Sequence, residues 1–244
     1  MVKLNSNQEK IKLKGITRFV YKQTGQAISD YGMLGDKDRI LFAVSGSRLS
    51  LLLLKLFKLR RIHIPINFDI IACFIENEFI KVNKKGLADF CKAEKIKLIT
   101  KSFKKVKNPS NSFWCTEDFR QELYGQASKQ NCNKIAIGHN LDDIIQTTLV
   151  NLCFSAKVET WQPSLSLFEG KITVIRPFSY LEEKYISQCA DSLNLPDLGY
   201  ESCYNQDANR LKLKKILKDL SSDYPFVKKN IFRSFKKIKY DYLL

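Results

Sequence analysis

The sequence predicts an α/β fold built on a doubly wound, parallel sheet. Residues 39–44 and 68–75 are nearly continuous apolar runs, as expected of strands that are buried on both faces. Each run is followed by a segment with helical periodicity, and a shorter apolar strand at 134–138 again precedes a helix. Strands that alternate with helices imply right-handed crossovers and a Rossmann-like sheet covered by helices on both faces.

The individual elements follow in chain order from the spacing of apolar residues. A helix is expected within 1–31, and further helices are expected at 49–59, 84–95, 116–129 and 142–152. Strands are expected at 39–44, 68–75, 96–102 and 134–138. The predicted division of the chain is an N-terminal helical lead-in (1–35), an α/β domain (36–200) and a basic, helical C-terminal segment (201–244).

Charge is the unusual feature of the composition. Lys and Arg number 41 against 25 Asp and Glu, which gives a formal net charge of +16. This surplus favours a polyanionic partner, nucleic acid first, although a Lys-rich background composition would produce part of it. The longest apolar stretch, 49–54, is too short for a membrane span, so no membrane association is expected. The polar start and the seven scattered cysteines predict reduced thiols and a cytoplasmic location.

Two loops that follow predicted strands are candidate ligand sites, because open parallel sheets bind ligands beyond the carboxyl ends of their strands. In the first loop, hydroxyl groups, a glycine and free amides precede a helix, which suits phosphate oxygens. The same serines would equally suit a helix N-cap without any ligand. The candidate nucleotide ligands in this loop are Ser45, Gly46, Ser47, Arg48 and Ser50.

The second loop joins the strand at 134–138 to the next helix. Its adjacent carboxylates would cap the helix or hold a divalent cation that bridges to a substrate phosphate. A histidine in such a place is more often a hydrogen-bonded structural residue than a ligand. The candidate ligands in this loop are Gly138, His139, Asp142 and Asp143.

Together the two loops resemble the PP-loop family of ATP pyrophosphatases, whose first loop reads S-G-G-x-D-S. Residues 134–152 (KIAIGHNLDDIIQTTLVNL) are similar to the G-H-[HN]-x-D-D-x-x-Q-T segment of the tRNA 2-thiolation branch. Further similarity to the tRNA 2-thiocytidine synthetases (the TtcA subgroup) lies at 25–30, 119–124, 174–178 and 181–184. An N-terminal C-x-x-C, typical of the neighbouring 2-thiouridine subgroup, is absent.

This resemblance implies a specific chemistry. Members of the family bind ATP with Mg²⁺ in the first loop, adenylate the carbonyl of an anticodon-loop base and release pyrophosphate. Sulfur then displaces AMP, assisted by a 4Fe-4S cluster that three cysteines hold. The resemblance therefore implies ATP and Mg²⁺ as ligands and tRNA as partner, with a homodimer left open beside a monomer.

The sequence departs from this family pattern in two places. In the first loop Ser47 replaces the second glycine, and Leu49 replaces the aspartate, whose carboxylate an aliphatic side chain cannot replace. In the cluster motif Ser112 stands where a C-x-x-C begins, which leaves Cys115 and the distant Cys203 as the matching ligand positions. Two thiolate ligands bind an iron–sulfur cluster only weakly, so we expect the family chemistry to be reduced or lost.

The C-terminal segment is the predicted RNA-binding part. Between residues 210 and 239, eleven cations stand against two carboxylates, and aromatic residues that suit stacking on unpaired bases lie among them. A solvated helical face with inward-packed aromatics is the alternative. The candidate RNA contacts are Lys228, Lys229, Arg233, Lys236 and Lys237.

Three hypotheses for the function follow. The first is an ATP-dependent tRNA-cytidine sulfurtransferase that works despite its substitutions. The second is a non-catalytic tRNA- or nucleotide-binding module on the same scaffold. The third is a different PP-loop ligase or amidase, since one fold hosts many reactions.

Overall fold

The computed structural model describes residues 13–76, 81–103, 117–200 and 208–242. The helices in this part of the chain are α1 (Gly15–Asp30), α2 (Arg48–His63), α3 (Lys84–Ala93), α4 (Glu117–Lys129), α5 (Leu141–Ser155), α6 (Glu183–Ser192), α7 (Ala208–Asp223) and α8 (Val227–Ser234). The strands are β1 (Asp38–Ala43), β2 (Phe68–Glu76), β3 (Lys97–Ser102), β4 (Lys134–Ala136), β5 (Ser164–Leu167) and β6 (Ile172–Ile175). A 3₁₀ turn follows at Tyr240–Tyr242.

Six strands form one sheet in the order β3-β2-β1-β4-β6-β5. All neighbours pair in parallel except β5 and β6, which form an antiparallel hairpin at one edge. The predicted α/β class and parallel sheet are confirmed. The edge hairpin and α6 were not predicted, and the part of the predicted first helix before residue 13 lies outside the described residues.

Helices cover both faces of the sheet, as the doubly wound prediction required. In β1, Ile40 and Phe42 pack into a large cluster with α1, α2, α3 and α6, whereas Leu41 and Ala43 face a second cluster built with α4. Since alternate residues of a strand point to opposite faces, burial of both sets explains the apolar run in the sequence. The predicted division at residues 35 and 200 stays a prediction.

The C-terminal helices α7 and α8 pack against α5. Leu141 and Ile145 of α5 share a small buried cluster with Leu217 of α7, and Ile231 and Phe232 of α8 pack against it. The predicted helical C-terminal extension is therefore present and is joined to the helix that begins at the second candidate loop. Within the residues that the structure describes, no helix combines the length and apolarity that a membrane crossing requires.

Candidate functional site

The two candidate loops meet because the sheet order reverses between β1 and β4. From β1 the chain moves outward to β2 and β3, then returns to place β4 on the other side of β1. The carboxyl ends of both central strands therefore open at one crevice, the usual ligand position in such sheets. A cavity of about 860 Å³ lies there. The candidate residues that line it are Ser45, Ser47, Arg48, Ser50, Gly138, His139 and Asp143.

The first loop is held by its own hydroxyl groups. Ser47 is the N-cap of α2: its Oγ accepts the Ser50 amide at 3.3 Å, and the Ser50 hydroxyl donates to the Ser47 carbonyl at 2.7 Å. The Ser45 hydroxyl donates to Ser47 Oγ at 2.9 Å and accepts the Ser47 amide at 3.2 Å. Ser47 therefore caps α2, and the role of these residues as nucleotide ligands stays a prediction.

The backbone of this loop requires only one glycine. Gly46 has φ +87°, and a Cβ built there would lie 2.6 Å from Cγ1 of Val82, so a larger residue would be strained and would clash. Ser47 has φ −67°, which any residue adopts. The serine at 47 therefore causes no backbone strain.

Two side chains of the loop are poorly placed to bind a phosphate or a cation. The Arg48 guanidinium forms an ion pair with Asp191 of α6, with Nη2 and Oδ1 2.6 Å apart, so a carboxylate already compensates its charge. Leu49 lines the cavity with an aliphatic side chain that carries no oxygen ligand. The structure thus places Arg48 at the cavity but aims its charge at α6.

The second loop is fixed by a capping box at the start of α5. Asn140 Oδ1 accepts the amides of Asp142 at 2.8 Å and Asp143 at 3.2 Å, and Asp143 Oδ2 accepts the Asn140 amide at 3.0 Å. Burial raises the pKa of Asp143 to about 7, because it outweighs the Asn140 hydrogen bond that favours the ionised form. The predicted capping role of this loop is confirmed for Asp143.

Asp142 is occupied on both carboxylate oxygens. Oδ2 accepts the Glu183 amide at 2.7 Å, and Oδ1 lies 2.6 Å from Nζ of Lys228. Lys228 also contacts Oε2 of Glu182 at 3.0 Å. Asp142 is not among the residues that line the cavity.

His139 is held as a neutral ring. It stacks on Trp161 with ring centroids 4.1 Å apart, and Arg176 Nε donates to its Nδ1 at 3.3 Å. Burial, together with the charges of Arg176 and Arg210, lowers the pKa of His139 well below its usual value. Since Nδ1 accepts a hydrogen bond, the ring proton lies on Nε2.

Sequence reasoning missed three residues around His139. Trp161 and Arg176 line the cavity, and Arg210 of α7 donates to Thr147 Oγ1 at 3.2 Å with its guanidinium carbon 5.9 Å from the Trp161 ring centre. Arg176 lies inside the 174–178 motif, but the sequence similarity there predicts no role for this residue. Trp161 carried only a weak signal, as one of two tryptophans in the chain.

Comparison with known proteins identifies the family. No family model matches the chain. A tRNA-cytidine(32) 2-sulfurtransferase from Geotalea uraniireducens is 31% identical over 239 residues, which cover 92% of this chain and 93% of that protein. One from Geobacter sulfurreducens is 30% identical, with 90% of each chain covered. The chain belongs to the tRNA-cytidine(32) 2-sulfurtransferase family.

A solved structure supports the fold of this sulfurtransferase family member. The U34-tRNA thiolase NcsA from Methanococcus maripaludis, solved with its [4Fe-4S] cluster, superposes with a TM-score of 0.74 at 20% identity. The match covers 91% of this chain and 79% of NcsA. The sulfurtransferase relatives confirm the predicted resemblance to tRNA 2-thiolation enzymes, and the superposition on NcsA shows that the fold is shared.

The predicted cluster ligands Cys115 and Cys203 of this sulfurtransferase homologue lie outside the described residues. Among the cysteines that are described, Cys73, Cys91, Cys132 and Cys189 are buried and Cys153 is exposed. Burial raises the pKa of Cys73 to about 12 and that of Cys91 to about 11, so both are protonated core thiols. In the described ranges, no three His, Cys, Asp or Glu side chains form a group able to hold a metal ion.

The five candidate RNA contacts differ in their surroundings. Lys228 is mostly enclosed between α5, α6 and α8, with 20% of its side chain exposed. Lys236 is exposed and lies over the ring of Tyr31, with Nζ 4.4 Å from the ring centre. The others, Lys229, Arg233 and Lys237, are exposed on or just after α8. Four of the five therefore lie on the surface, whereas Lys228 is an internal ion-pair partner.

Proposed function

We propose that this chain binds an adenine nucleotide and tRNA on the scaffold of the tRNA-cytidine(32) 2-sulfurtransferases, with base adenylation and sulfur transfer reduced or lost. One observation carries the proposal: the crevice between β1 and β4 keeps a helix N-terminus that suits phosphate, while Asp142 and Asp143 of the second loop are engaged in contacts within the protein. A binding module without catalysis is the second candidate, and the same observation favours it.

The phosphate seat is the N-terminus of α2. Free amides at a helix start and the helix dipole attract anions, and Gly46 gives the loop the left-handed turn that precedes them. The hydroxyls of Ser45, Ser47 and Ser50 lie in the same cavity wall. These groups would bind phosphate oxygens without help from the Arg48 charge.

The residues of the two candidate loops do not fit the Mg²⁺ that the family resemblance implies. Mg²⁺ requires oxygen ligands in near-octahedral geometry, and Leu49 offers none. Asp142 contacts Lys228 through Oδ1 and the Glu183 amide through Oδ2, and Asp143 Oδ2 accepts the Asn140 amide. We therefore assign no step of the reaction to a magnesium ion.

The donor set also does not fit a 4Fe-4S cluster, because the sequence offers two of the three expected thiolates, Cys115 and Cys203, with Ser112 at the third position. Anaerobically reconstituted protein should hold far less than four iron and four sulfide per chain. A stoichiometric cluster whose visible absorption is abolished in Cys115→Ala would overturn this part of the proposal.

The activity test uses tRNA-dependent AMP production and mass spectrometry of tRNA nucleosides. We expect ATP binding by the wild-type protein but very slow AMP and pyrophosphate release, and no loss of 2-thiocytidine in cells that lack the protein. Leu49→Asp together with Ser47→Gly restores the family loop and is the matched comparison. Brisk AMP production by the wild type, unchanged in that double variant, would contradict the proposal.

The tRNA-binding test uses the exposed cations of the C-terminal segment. Replacing Lys229, Lys236 and Lys237 by glutamine should weaken tRNA binding and flatten the slope of log affinity against log salt by about 2, since each phosphate contact contributes about 0.7 to 0.9. The control replaces three exposed lysines of α3 and α4, Lys85, Lys92 and Lys129, by glutamine, with the same change in net charge. Equal effects of both triple variants would place the RNA surface elsewhere.

A further inference from the structure

We propose that the Lys228 ammonium takes the place of a divalent cation at Asp142 and thereby ties the basic C-terminal helices to the nucleotide-site loop. This inference deepens the proposed function, on which it rests, by naming what contacts a carboxylate that the sequence suggested as a candidate cation ligand.

The first support is the geometry of the ion pair. Nζ of Lys228 lies 2.6 Å from Asp142 Oδ1 and 3.0 Å from Glu182 Oε2, so one cation bridges the starts of α5 and α6. The exposed fractions of the three side chains are 20%, 14% and 17%, which shields the cluster from water and salt. A cation between two carboxylates of adjacent helix starts is the arrangement that a bound metal ion would also produce.

The second support is that Asp142 has no free oxygen. Its second oxygen accepts the Glu183 amide at 2.7 Å, which fixes the carboxylate plane toward α6. A metal ion at Oδ1 would lie close to the Lys228 ammonium, and repulsion between the two positive charges would oppose its binding. Lys228 and a divalent cation are therefore alternatives at this carboxylate.

The third support is that the packing of α8 fixes the position of the Lys228 amine. Lys228 belongs to α8, which is packed on α5 through Ile231 and Phe232, and Phe232 also contacts Tyr180 with ring centroids 5.8 Å apart. A packed helix holds the stem of the lysine, so the position of its ammonium is set by the fold. The same helix carries the exposed Lys229 and Arg233 that we assign to RNA binding.

The surrounding charges show why a cation is needed at this point. Asp142, Asp143, Glu182 and Glu183 lie within the first turns of α5 and α6 or directly before them. Lys184 contacts Glu182 at 3.2 Å and Lys214 contacts Glu183 at 3.8 Å, but among the described ion pairs only Lys228 contacts Asp142. Removing Lys228 would leave Asp142 as an enclosed, uncompensated anion, which would either attract another cation or destabilise the loop.

The test measures Mn²⁺ binding to nucleotide-free protein by electron paramagnetic resonance. Lys228→Gln should bind Mn²⁺ roughly tenfold more tightly than the wild type, because a nearby positive charge has been removed from a poorly solvated carboxylate. Lys228→Arg, which keeps the charge, and Lys229→Gln, which removes the same charge from the exposed neighbouring position, should both resemble the wild type. Lys228→Gln with Asp142→Asn should lose the gain.

Several results would overturn the inference. Unchanged Mn²⁺ affinity in Lys228→Gln would do so, as would an equal gain in Lys229→Gln. Should Lys228→Gln fail to fold, wild type and Asp142→Asn are compared instead: equal Mn²⁺ affinity is expected, and weaker binding by Asp142→Asn would show that Asp142 already binds metal. None of these measurements uses ATP turnover or tRNA, so they fail or succeed independently of the proposed function.

Discussion

Substitution of Gly46 by alanine tests whether the loop after β1 needs a glycine for its backbone geometry and for its packing against Val82. At φ +87° an L-residue is disfavoured by about 1–2 kcal/mol. The new Cβ would also lie 2.6 Å and 3.0 Å from the two methyl carbons of Val82, and overpacking of this kind costs about 1–3 kcal/mol. We therefore expect Gly46→Ala to lower the free energy of unfolding by about 2–5 kcal/mol.

The two contributions can be separated with a double-mutant cycle. Val82→Ala removes the methyl groups that the new Cβ would meet, so Gly46→Ala in that background should retain only the cost of the positive φ. Urea denaturation followed by circular dichroism gives the four free energies, and we expect a favourable coupling of about 1–3 kcal/mol. A loss below about 0.5 kcal/mol in Gly46→Ala, or strict additivity, would refute the account of this loop.

Three further predictions concern charged groups at the site. The folded-state pKa of Asp143 is raised to about 7, so the folded protein retains a proton that the unfolded chain loses near pH 4. The free energy of unfolding should therefore fall as the pH rises from about 4 to about 7. Asp143→Asn should remove this dependence in urea denaturations at several pH values. His139 has a lowered pKa, so its ring should stay neutral in NMR titrations through the pH range around 6.5 in which a free histidine takes up its proton. Its burial should therefore make the protein less stable as the pH drops below about 6.5, where the unfolded histidine is protonated. Lys228→Met should lower the free energy of unfolding by about 2–4 kcal/mol in urea denaturation, because it leaves an enclosed carboxylate unpaired. Lys229→Met, at an exposed position, should lower it by less than about 0.5 kcal/mol.

The sheet and the position of the cavity could be predicted because they depend on local apolar pattern. Strand β1 is buried on both faces and reads as a continuous apolar run, and the loops after β1 and β4 contain the Gly, Ser, Asn and Asp residues that helix starts require. The edge hairpin β5–β6 was missed because each strand has only four residues, a short signal even though the alternation of Ser and Leu in β5 fits a half-buried strand.

The charge pairs of the site could not be predicted, because their partners are far apart in sequence. Arg48 meets Asp191, and Asp142 meets Lys228, only after α6 and α8 have packed beside the loops. In the sequence each of these cations suits a phosphate group, which is why the sequence predicts a nucleotide contact at Arg48 and an RNA contact at Lys228. Long-range packing thus decides whether a basic residue faces a ligand or an internal carboxylate.

The site motifs of this sulfurtransferase homologue differ in how much of their role is structural. Gly46 is required by its positive φ and by Val82, and the Asn140–Asp143 pair closes a capping box that orders the start of α5 with or without a metal. Leu49, where the sequence departs from the family pattern, is partly buried and packs against the large hydrophobic cluster, and Ser112 lies outside the described residues. The capping box accounts for Asn140 and Asp143, whereas Leu49 and the contacts of Asp142 are the features on which we base the proposed loss of catalysis. For this reason the AMP-release comparison between the wild type and the Leu49→Asp, Ser47→Gly variant decides the function, and the intact second motif does not.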